Sequence, residues 1–376
     1  MKKKPAKSAK KEAPAKRAPV VKKAARKRVA AKKAPAKKVL AKKSPAKRVL
    51  RKPGPAPKAK PATAAPKAAP APSLADELAA LSPLQRTRVE HMIRAAERPP
   101  SGTTLVMLGT GMPRPDPMCF GPATAVVYNG RVFLFDAGPG VMRRVAAARL
   151  SIRGPEAVFI THLHSDHTLG YPDLIFTTWV MGRKEKLQAY GPHGLKKMTK
   201  HILAAWSEDI DVRIKGLERQ TKTGYRVDVH EFEGGLIYDH EGVRITAIPV
   251  LHGCWKQAFG FRIDTPDRSI VISGDTRPSP ALVEASKDVD VLVHEVYPAS
   301  QVAPEIRVGG EVWPSYMREF HTSDRELGVI ASLAQPRLLV LHHIVRHGND
   351  DDELASSIRA GGFQGDIVVA RDLDRY

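Results

Sequence analysis

Hydrophobic and polar positions from residue 103 onward follow two alternating patterns. Short apolar runs rich in β-branched residues predict strands, and longer stretches with apolar residues three and four positions apart predict helices. The strands are expected at 103–109, 124–128, 131–140, 156–161, 243–250, 259–264, 269–276, 289–296, 337–343 and 366–372. The helices are expected at 141–149, 192–206, 278–287, 323–334 and 351–360. Strands that alternate with helices indicate an α/β sandwich.

A helical lead-in is expected before this region, at residues 73–100. Ser73 and Ser82 are placed to cap two successive helices, and Pro83 occupies the first position of the second one. Pro99 and Pro100 end the pattern. The α/β part of the chain then occupies residues 101–376.

The first 72 residues have a different composition. They hold 26 Lys or Arg residues and one acid, Glu12, and the segment KKAPAKKVL returns ten residues later as KKSPAKRVL. Scattered proline and dense like charge prevent a packed core, so we expect a disordered tail that ends in a Pro/Ala linker over 53–72. The tail resembles the C-terminal tails of linker histones. Nucleic acid or another polyanion is the expected partner, with a merely solubilising extension as the alternative.

The basic residues of the two repeats are the candidate contacts to nucleic acid. They are Lys32, Lys33, Lys37, Lys38, Lys42, Lys43, Lys47 and Arg48.

Net charge and cysteine content separate the tail from the rest of the chain. The whole chain carries +22, but of its 61 basic and 39 acidic residues only 35 and 38 lie beyond residue 72, which leaves a net charge of −3 there. Two cysteines exclude a disulfide framework and suit a reducing compartment. The absence of an 18-residue apolar run or an apolar leader argues against a membrane span or a secretory signal. We expect a cytoplasmic protein, in which the tail would favour association with the nucleoid.

Potential metal ligands follow the predicted strands repeatedly. Asp136 follows one strand, and the segment HLHSDH after the next strand contains His162, His164, Asp166 and His167. Three later predicted strands also end in potential ligands, which are His252, Asp275, and the adjacent His342 and His343. Imidazole nitrogens and carboxylate oxygens on strand ends suit Zn²⁺ or a similar divalent metal.

The segment HLHSDH and the order of these residues resemble the metallo-β-lactamase-fold hydrolases. The resemblance covers residues 103–376 and implies an αββα sandwich with two Zn²⁺ ions at one edge, Mn²⁺ or Fe being alternatives. It implies that His162, His164 and His252 hold the first ion, that Asp166, His167 and His343 hold the second, and that Asp275 bridges them. His343 is preferred to His342 because it matches the last ligand of the family. Asp136 would support the metal loop by hydrogen bonds.

The chemistry implied is hydrolysis by a metal-bridging hydroxide, which Asp166 would help to orient. Glu295 in HEVY and His321 in HTS match a Glu–His pair of the ribonuclease Z (tRNase Z)-like branch that relays a proton at the leaving group. A buried structural pair is the alternative. Members of the family are often dimeric, so a homodimer is also an expectation.

The substrate prediction leans toward a small anionic ester: an aryl sulfate, a phosphate ester or a phosphodiester. The segment from HEVYPASQ to WPSYMREFHTS and the ending VVARDLDRY resemble arylsulfatase-related members of the branch. His252 and Asp275 are only 23 residues apart, which leaves no room for the long basic arm of bacterial ribonuclease Z. An endoribonuclease that processes tRNA 3′ ends, with the tail binding RNA, is the alternative. A non-catalytic nucleic-acid-binding protein is a second alternative, and redox chemistry at a di-iron centre a third.

Four aromatic residues are weaker candidates for the lining of a pocket, with core packing as the default. They are Trp179, Trp255, Trp313 and Tyr316.

Overall fold

The computed structural model describes residues 74–97, 101–302, 312–346, 348 and 350–376. The predicted tail 1–72, with all eight candidate nucleic-acid contacts, lies outside the described residues. None of the helices in the described part of the chain is both long and apolar enough to cross a membrane.

Thirteen strands in the described residues form two sheets, which confirms the predicted α/β sandwich. The first sheet has the order β1-β2-β3-β4-β5-β6. Its strands are β1 (Thr104–Gly109), β2 (Ala123–Tyr128), β3 (Arg131–Phe135), β4 (Ala157–Phe159), β5 (Leu187–Gly191) and β6 (Val227–Glu231). The second sheet has the order β13-β12-β11-β10-β9-β8-β7. Its strands are β7 (Gly235–His240), β8 (Val243–Pro249), β9 (Phe259–Thr265), β10 (Arg268–Ile272), β11 (Val291–Val296), β12 (Leu338–Ile344) and β13 (Asp366–Val369).

The helices of the described residues begin with the expected lead-in pair. These two are α1 (Leu74–Ala79) and α2 (Pro83–Ala96). Between the strands of the first sheet lie α3 (Val141–Ala147), α4 (Ser165–Thr168), α5 (Tyr171–Val180), α6 (Leu195–Ala205) and α7 (Ser207–Lys215). The second sheet contributes α8 (Pro280–Ala285), α9 (Trp313–Phe320), α10 (Asp324–Ala334) and α11 (Asp351–Ala360).

Three apolar cores show the layer order helix, sheet, sheet, helix. The central core contains side chains of both sheets, among them Phe135, Phe159 and Phe261. A second core lies between the first sheet and helices α3, α5 and α6, and a third lies between the second sheet and helices α8, α10 and α11. Alternate residues of each strand enter opposite cores, as the two-residue period of a strand requires.

The parallel strands of each sheet direct their carboxyl ends to the edge that carries the polar side chains. In the first sheet β3, β4, β5 and β6 are parallel, and in the second β10, β11, β12 and β13 are parallel. The predicted strand 131–140 ends at Phe135, so the segment from Asp136 to Gly140 is a loop at this edge. The fold therefore places the ends of chain segments that are distant in sequence side by side.

Candidate metal centre

Three histidines from two loops bring ring nitrogens together at this edge. His162 and His164 follow β4, and His252 follows β8. His164 Nδ1 lies 2.9 Å from His162 Nε2 and 3.1 Å from His252 Nε2. The three atoms therefore face one point, a geometry that a tetrahedral metal with nitrogen ligands can use.

Hydrogen bonds behind the cluster fix which nitrogen of each ring faces it. The Thr161 hydroxyl donates to Asp136 and so accepts from Nδ1–H of His162, at 3.0 Å. Nδ1–H of His252 donates to the carbonyl oxygen of Phe320 at 2.7 Å. Because the protons of His162 and His252 are held on Nδ1, Nε2 of each presents its lone pair to the cluster, whereas His164 faces it with Nδ1.

A second group of ligand atoms comes from the short helix α4 and from β12. His167 Nε2 lies 3.5 Å from Asp166 Oδ2, and His343 Nε2 lies 3.2 Å from the same oxygen. His167 Nδ1 is bonded to Asp136 Oδ2 at 2.8 Å, while its Nε2 is buried without a hydrogen-bond partner. A buried nitrogen without a partner is costly unless a further ligand, such as a metal ion, occupies the site.

Asp275 joins the two groups. Its Oδ2 lies 3.9 Å from His162 Nε2 and 3.8 Å from His252 Nε2 on one side. On the other side it lies 3.4 Å from His167 Nε2 and 3.7 Å from His343 Nε2. This carboxylate is 3% exposed. Its position between the two sets is what a bridging ligand requires.

The backbone directs two of these side chains by unusual conformations. Gly274 has φ +59°, and a Cβ there would lie 2.5 Å from the carbonyl oxygen of Phe259, so glycine is needed just before Asp275. His343 has φ +44° and is an extra residue in β12, because Glu295 pairs with His342 while Val296 pairs with Ile344. This bulge turns His343, rather than His342, toward Asp166. Positive φ at a histidine is strained backbone of the kind found at functional sites.

The pKa shifts of the histidines indicate that the carboxylates of the cluster favour a positive charge beside them. Burial lowers the pKa of His164 and of His252 to about 4, so both rings are neutral and able to bind metal at neutral pH. Burial also opposes the charged form of His167, but the carboxylates of Asp275 and Asp136 outweigh it and raise the pKa well above 6.5. The two carboxylates therefore favour a positive charge at this position. The residues present fit a pair of divalent cations.

Glu295 and His321 lie beside the cluster, as the sequence predicts. His321 Nδ1 is 3.3 Å from Glu295 Oε1 but makes no hydrogen bond. Oε1 accepts the backbone N–H groups of Thr276 and Thr322 at 3.1 and 3.2 Å. Burial, and then the charge of Asp275, raise the pKa of Glu295 well above its usual value. Burial lowers the pKa of His321 to about 4. The raised pKa of Glu295 favours a proton on this pair, and a proton there is what a general acid needs.

A cavity of about 380 Å³ opens onto the cluster. Its lining includes Asp166, Asp275, His321 and His343 together with Arg346, whose side chain is 7% exposed. One terminal nitrogen of Arg346, Nη2, is paired with Asp351 at 2.5 Å, while the other, Nη1, is buried without a hydrogen-bond partner. A guanidinium group at the wall of a cavity beside two metal-ligand sets suits an anionic substrate.

Several contacts at the site lie outside the sequence prediction. The contacts of Arg346, Thr161 and the Phe320 carbonyl belong to no local motif, and those of Thr161 with Asp136 and of Phe320 with His252 join residues 25 and 68 positions apart. Trp255 donates from its indole nitrogen to His164 Nε2 at 2.8 Å. Of the four aromatic candidates, Trp313 and Tyr316 line the cavity. Trp179 is fully buried, as expected for a residue that packs in the core.

Comparison with known proteins identifies the family. The family described as the beta-lactamase superfamily domain matches residues 131–344. The chain belongs to the metallo-β-lactamase superfamily. It is 35% identical over 277 residues to Ribonuclease Z of Mycobacterium bovis, an alignment that covers 72% of this chain and 96% of that relative. It is 34% identical over 279 residues to Ribonuclease Z of Mycobacterium marinum, covering 72% and 97%.

Solved structures agree on the fold. The metallo-β-lactamase fold protein YhfI from Bacillus subtilis superposes with a TM-score of 0.57 at 17% identity, covering 73% of this chain and 98% of the other. The short form of human tRNase Z gives 0.56 at 22% identity, with the same coverage. The predicted membership of this hydrolase superfamily and of its ribonuclease Z-like branch is confirmed. The relatives indicate an enzyme of the phosphodiesterase type, and they favour the ribonuclease Z alternative over the aryl-sulfate prediction.

Proposed function

We propose that the chain is a metal-dependent endoribonuclease of the ribonuclease Z type, which cleaves a phosphodiester bond at the 3′ end of tRNA precursors. The observation that carries this proposal is the alignment with proteins named Ribonuclease Z over 96% of their length. The polar edge of the structure supports it, because it combines two metal-ligand sets, a Glu–His pair and a buried guanidinium around one cavity.

Two divalent cations, with Zn²⁺ as the first choice, would be held by the residues that the sequence predicts. The first would be bound by His162 Nε2, His164 Nδ1 and His252 Nε2, which converge within hydrogen-bond distance. The second would be bound by Asp166, His167 and His343, with Asp275 shared between the two. Such a pair supplies a water of lowered pKa and positive charge for the oxygens of the phosphoryl group.

The Glu295–His321 pair would deliver a proton to the leaving oxygen. With Nδ1 of His321 turned toward Glu295, its Nε2 is the nitrogen left for a substrate atom in the cavity. The two backbone N–H groups on Glu295 Oε1 hold the carboxyl group in place, with His321 Nδ1 3.3 Å away and without another hydrogen-bond partner. The raised pKa of Glu295 favours a proton on the pair, and that proton would be released to the leaving oxygen at His321 and recovered from solvent.

Arg346 would bind the substrate anion. Its pairing with Asp351 fixes one side of the guanidinium group, while Nη1 is buried without a hydrogen-bond partner and would reach a substrate after the side chain turns toward the cavity. A charge-assisted hydrogen bond from this atom to a phosphoryl oxygen would orient the scissile group beside the two ligand sets.

Cleavage of a tRNA precursor with a 3′ trailer tests the proposal. The metal-loaded full-length chain should shorten the precursor at one position, and Asp275→Ala should abolish cleavage. The same preparations are offered an aryl sulfate. Turnover of the sulfate with an intact precursor would contradict the ribonuclease proposal. It would favour the second candidate, a small anionic ester hydrolase, which draws support from the −3 charge of residues 73–376.

The basic tail would increase affinity for RNA without reading its sequence. Replacing the seven repeat lysines and Arg48 by glutamine in the full-length chain removes eight positive charges. If all eight contact phosphates, the slope of log KM against log salt should fall by up to about 6, at roughly 0.7 per charge on single-stranded RNA. Turnover of a small phosphodiester should stay unchanged. An unchanged salt slope would assign the tail another role.

A further inference from the structure

Helix α6 presents three lysines at the edge of the fold that carries the metal ligands. The helix follows β5, which runs parallel to β4 and β3 and therefore ends at that edge. Leu195 and Thr199 lie on the buried side of the helix, and the exposed side carries Lys196, Lys197 and Lys200. Positions 196 and 200 are about one turn apart, so their side chains are neighbours. These three residues are the α6 lysines.

The carboxylates at the start of α6 are occupied by other groups. Glu231 Oε1 accepts the backbone N–H groups of Gly194 and Lys196 at 2.8 and 2.9 Å. The ring nitrogens of His193 lie 3.4 Å from Glu231 Oε2 and 3.3 Å from Glu233 Oε1. These acids therefore hold the helix start and His193, and they leave the ammonium groups of the α6 lysines to solvent.

Lys256 extends the positive charge toward the ligand loops. It is exposed, and it lines a cavity of about 510 Å³ together with His193. The side-chain oxygen of Gln257 accepts the backbone N–H of His193 at 2.8 Å, which joins this loop to the start of α6. The residue before Lys256 is Trp255, which donates to the ligand His164. The α6 lysines and Lys256 together form the α6 patch, which borders the His164 side of the metal-ligand cluster.

The four lysines of the α6 patch form no ion pair with a carboxylate in the described part of the chain. Other lysines there do, since Lys186, Lys215 and Lys287 each lie within 3.6 Å of an acidic oxygen. Lys196 and Lys197 also stand in the first turn of α6, where the helix dipole is positive and disfavours a cation. The charge of the patch therefore serves no contact within the described fold and is open to an anion.

We propose that the α6 patch binds the phosphate backbone of the RNA substrate outside the cavity. This inference rests on the proposed function, in which an RNA phosphodiester lies at the two ligand sets. A cavity of about 380 Å³ has room for only a small part of such a chain, so the RNA must continue over the surrounding edge. Lysines bind phosphates without reading the bases. The patch adds affinity on the folded body, separately from the tail.

The salt dependence of RNA binding tests the patch. The Kd for a tRNA precursor is measured in the full-length Asp275→Ala chain, in which cleavage should not interfere. Replacing Lys196, Lys197, Lys200 and Lys256 by glutamine removes four positive charges. If all four contact phosphates, the slope of log Kd against log salt should fall by up to about 3, at roughly 0.7 per charge. Thermal unfolding shows whether the fold is preserved.

Four exposed lysines at the opposite edge provide the matched control. They precede the parallel strands β5, β6 and β11, so they lie toward the amino ends of these strands and away from the ligands. Replacing them by glutamine removes the same charge from the chain but should change the slope by less than about 1. The control residues are Lys184, Lys186, Lys222 and Lys287.

The outcomes separate this inference from the proposed function. A slope that falls no further in the patch variant than in the control variant would overturn the inference and leave the ribonuclease proposal standing. A larger fall in the patch variant, with no cleavage of the precursor by the wild-type chain, would reject the ribonuclease proposal and retain the patch as an RNA-binding surface. Failure of the wild-type chain to bind the precursor would reject both.

Discussion

Replacement of Asp136 by asparagine should weaken one metal site and spare the other. Asp136 accepts the backbone N–H and the hydroxyl of Thr161, at 2.8 and 2.9 Å, and Nδ1–H of His167, at 2.8 Å. Asparagine has nearly the same shape and tolerates the observed φ of +59°. It retains one oxygen for Thr161 but presents an N–H group to His167.

The expected effect follows from the tautomer of His167. Facing an amide N–H, its Nδ1 must accept, and the ring proton then moves to Nε2, the atom that faces Asp166 and Asp275. A hydrogen bond to a charged group contributes about 1.5–3 kcal/mol. Loss of a group that orients a ligand typically lowers metal affinity about tenfold to hundredfold, which is about 1.4–2.7 kcal/mol. The two estimates agree.

Metal titration against a chromophoric competitor measures the effect in the full-length chain. The wild type should bind two ions, and Asp136→Asn should keep the affinity of the site formed by His162, His164 and His252. The affinity of the site formed by Asp166, His167 and His343 should fall about tenfold to hundredfold. Thermal unfolding of the metal-free chains shows whether the fold is preserved.

Asp267→Asn is the matched control. Asp267 also accepts a backbone N–H and a hydroxyl, both of Thr103, at 2.9 and 2.6 Å, but it contacts no histidine. This variant should leave both metal affinities unchanged. If Asp136→Asn leaves both affinities within about twofold of the wild type, or weakens both equally, the tautomer argument is wrong.

Three further predictions concern the anion, the indole and pH. Arg346→Met should raise KM for a small phosphodiester about tenfold with little change in kcat, since one charge-assisted hydrogen bond is lost; steady-state kinetics with a neutral carboxylic ester as comparison check this. Metal on Nδ1 of His164 leaves a proton on Nε2, which then opposes the indole N–H of Trp255; a change in tryptophan fluorescence on metal loading that is absent in Trp255→Phe is expected. Asp275 raises the pKa of His167 and His343 against the effect of burial, and these protons compete with metal. Affinity for Zn²⁺ should therefore keep rising with pH beyond 6.5, and a plateau already at 6.5 would argue against the raised pKa values.

The periodicity of the sequence was sufficient for ten of the thirteen strands and for most of the helices in the described residues. It missed the interior strand β5, and it also missed β6 and β7, which lie at the free edges of the two sheets. Their sequences VDVHE and GLIYDH contain charged residues and are only partly buried. An edge strand has neighbours on one side only, so its composition resembles that of a loop.

The substrate prediction shows a different limit of sequence reasoning. The short segment between His252 and Asp275 and the charge of −3 beyond residue 72 favoured a small ester over RNA. The relatives named Ribonuclease Z favour RNA instead. Net charge is a sum over a whole surface, whereas the cavity at the ligand sets is lined by a few groups, among them Arg346.

The sequence by itself determined the ligand types and the order in which they follow the strands. The segment HLHSDH places four candidate ligands within six residues, where chain connectivity alone keeps them close. Only the tertiary structure decided which nitrogen of each ring faces the centre, that Asp275 lies between two ligand sets, and that Arg346 and two aromatic residues of α9 border the same cavity. These contacts join residues tens to hundreds of positions apart. They exist because two sheets pack face to face and bring the ends of distant strands to one edge, which no local pattern encodes.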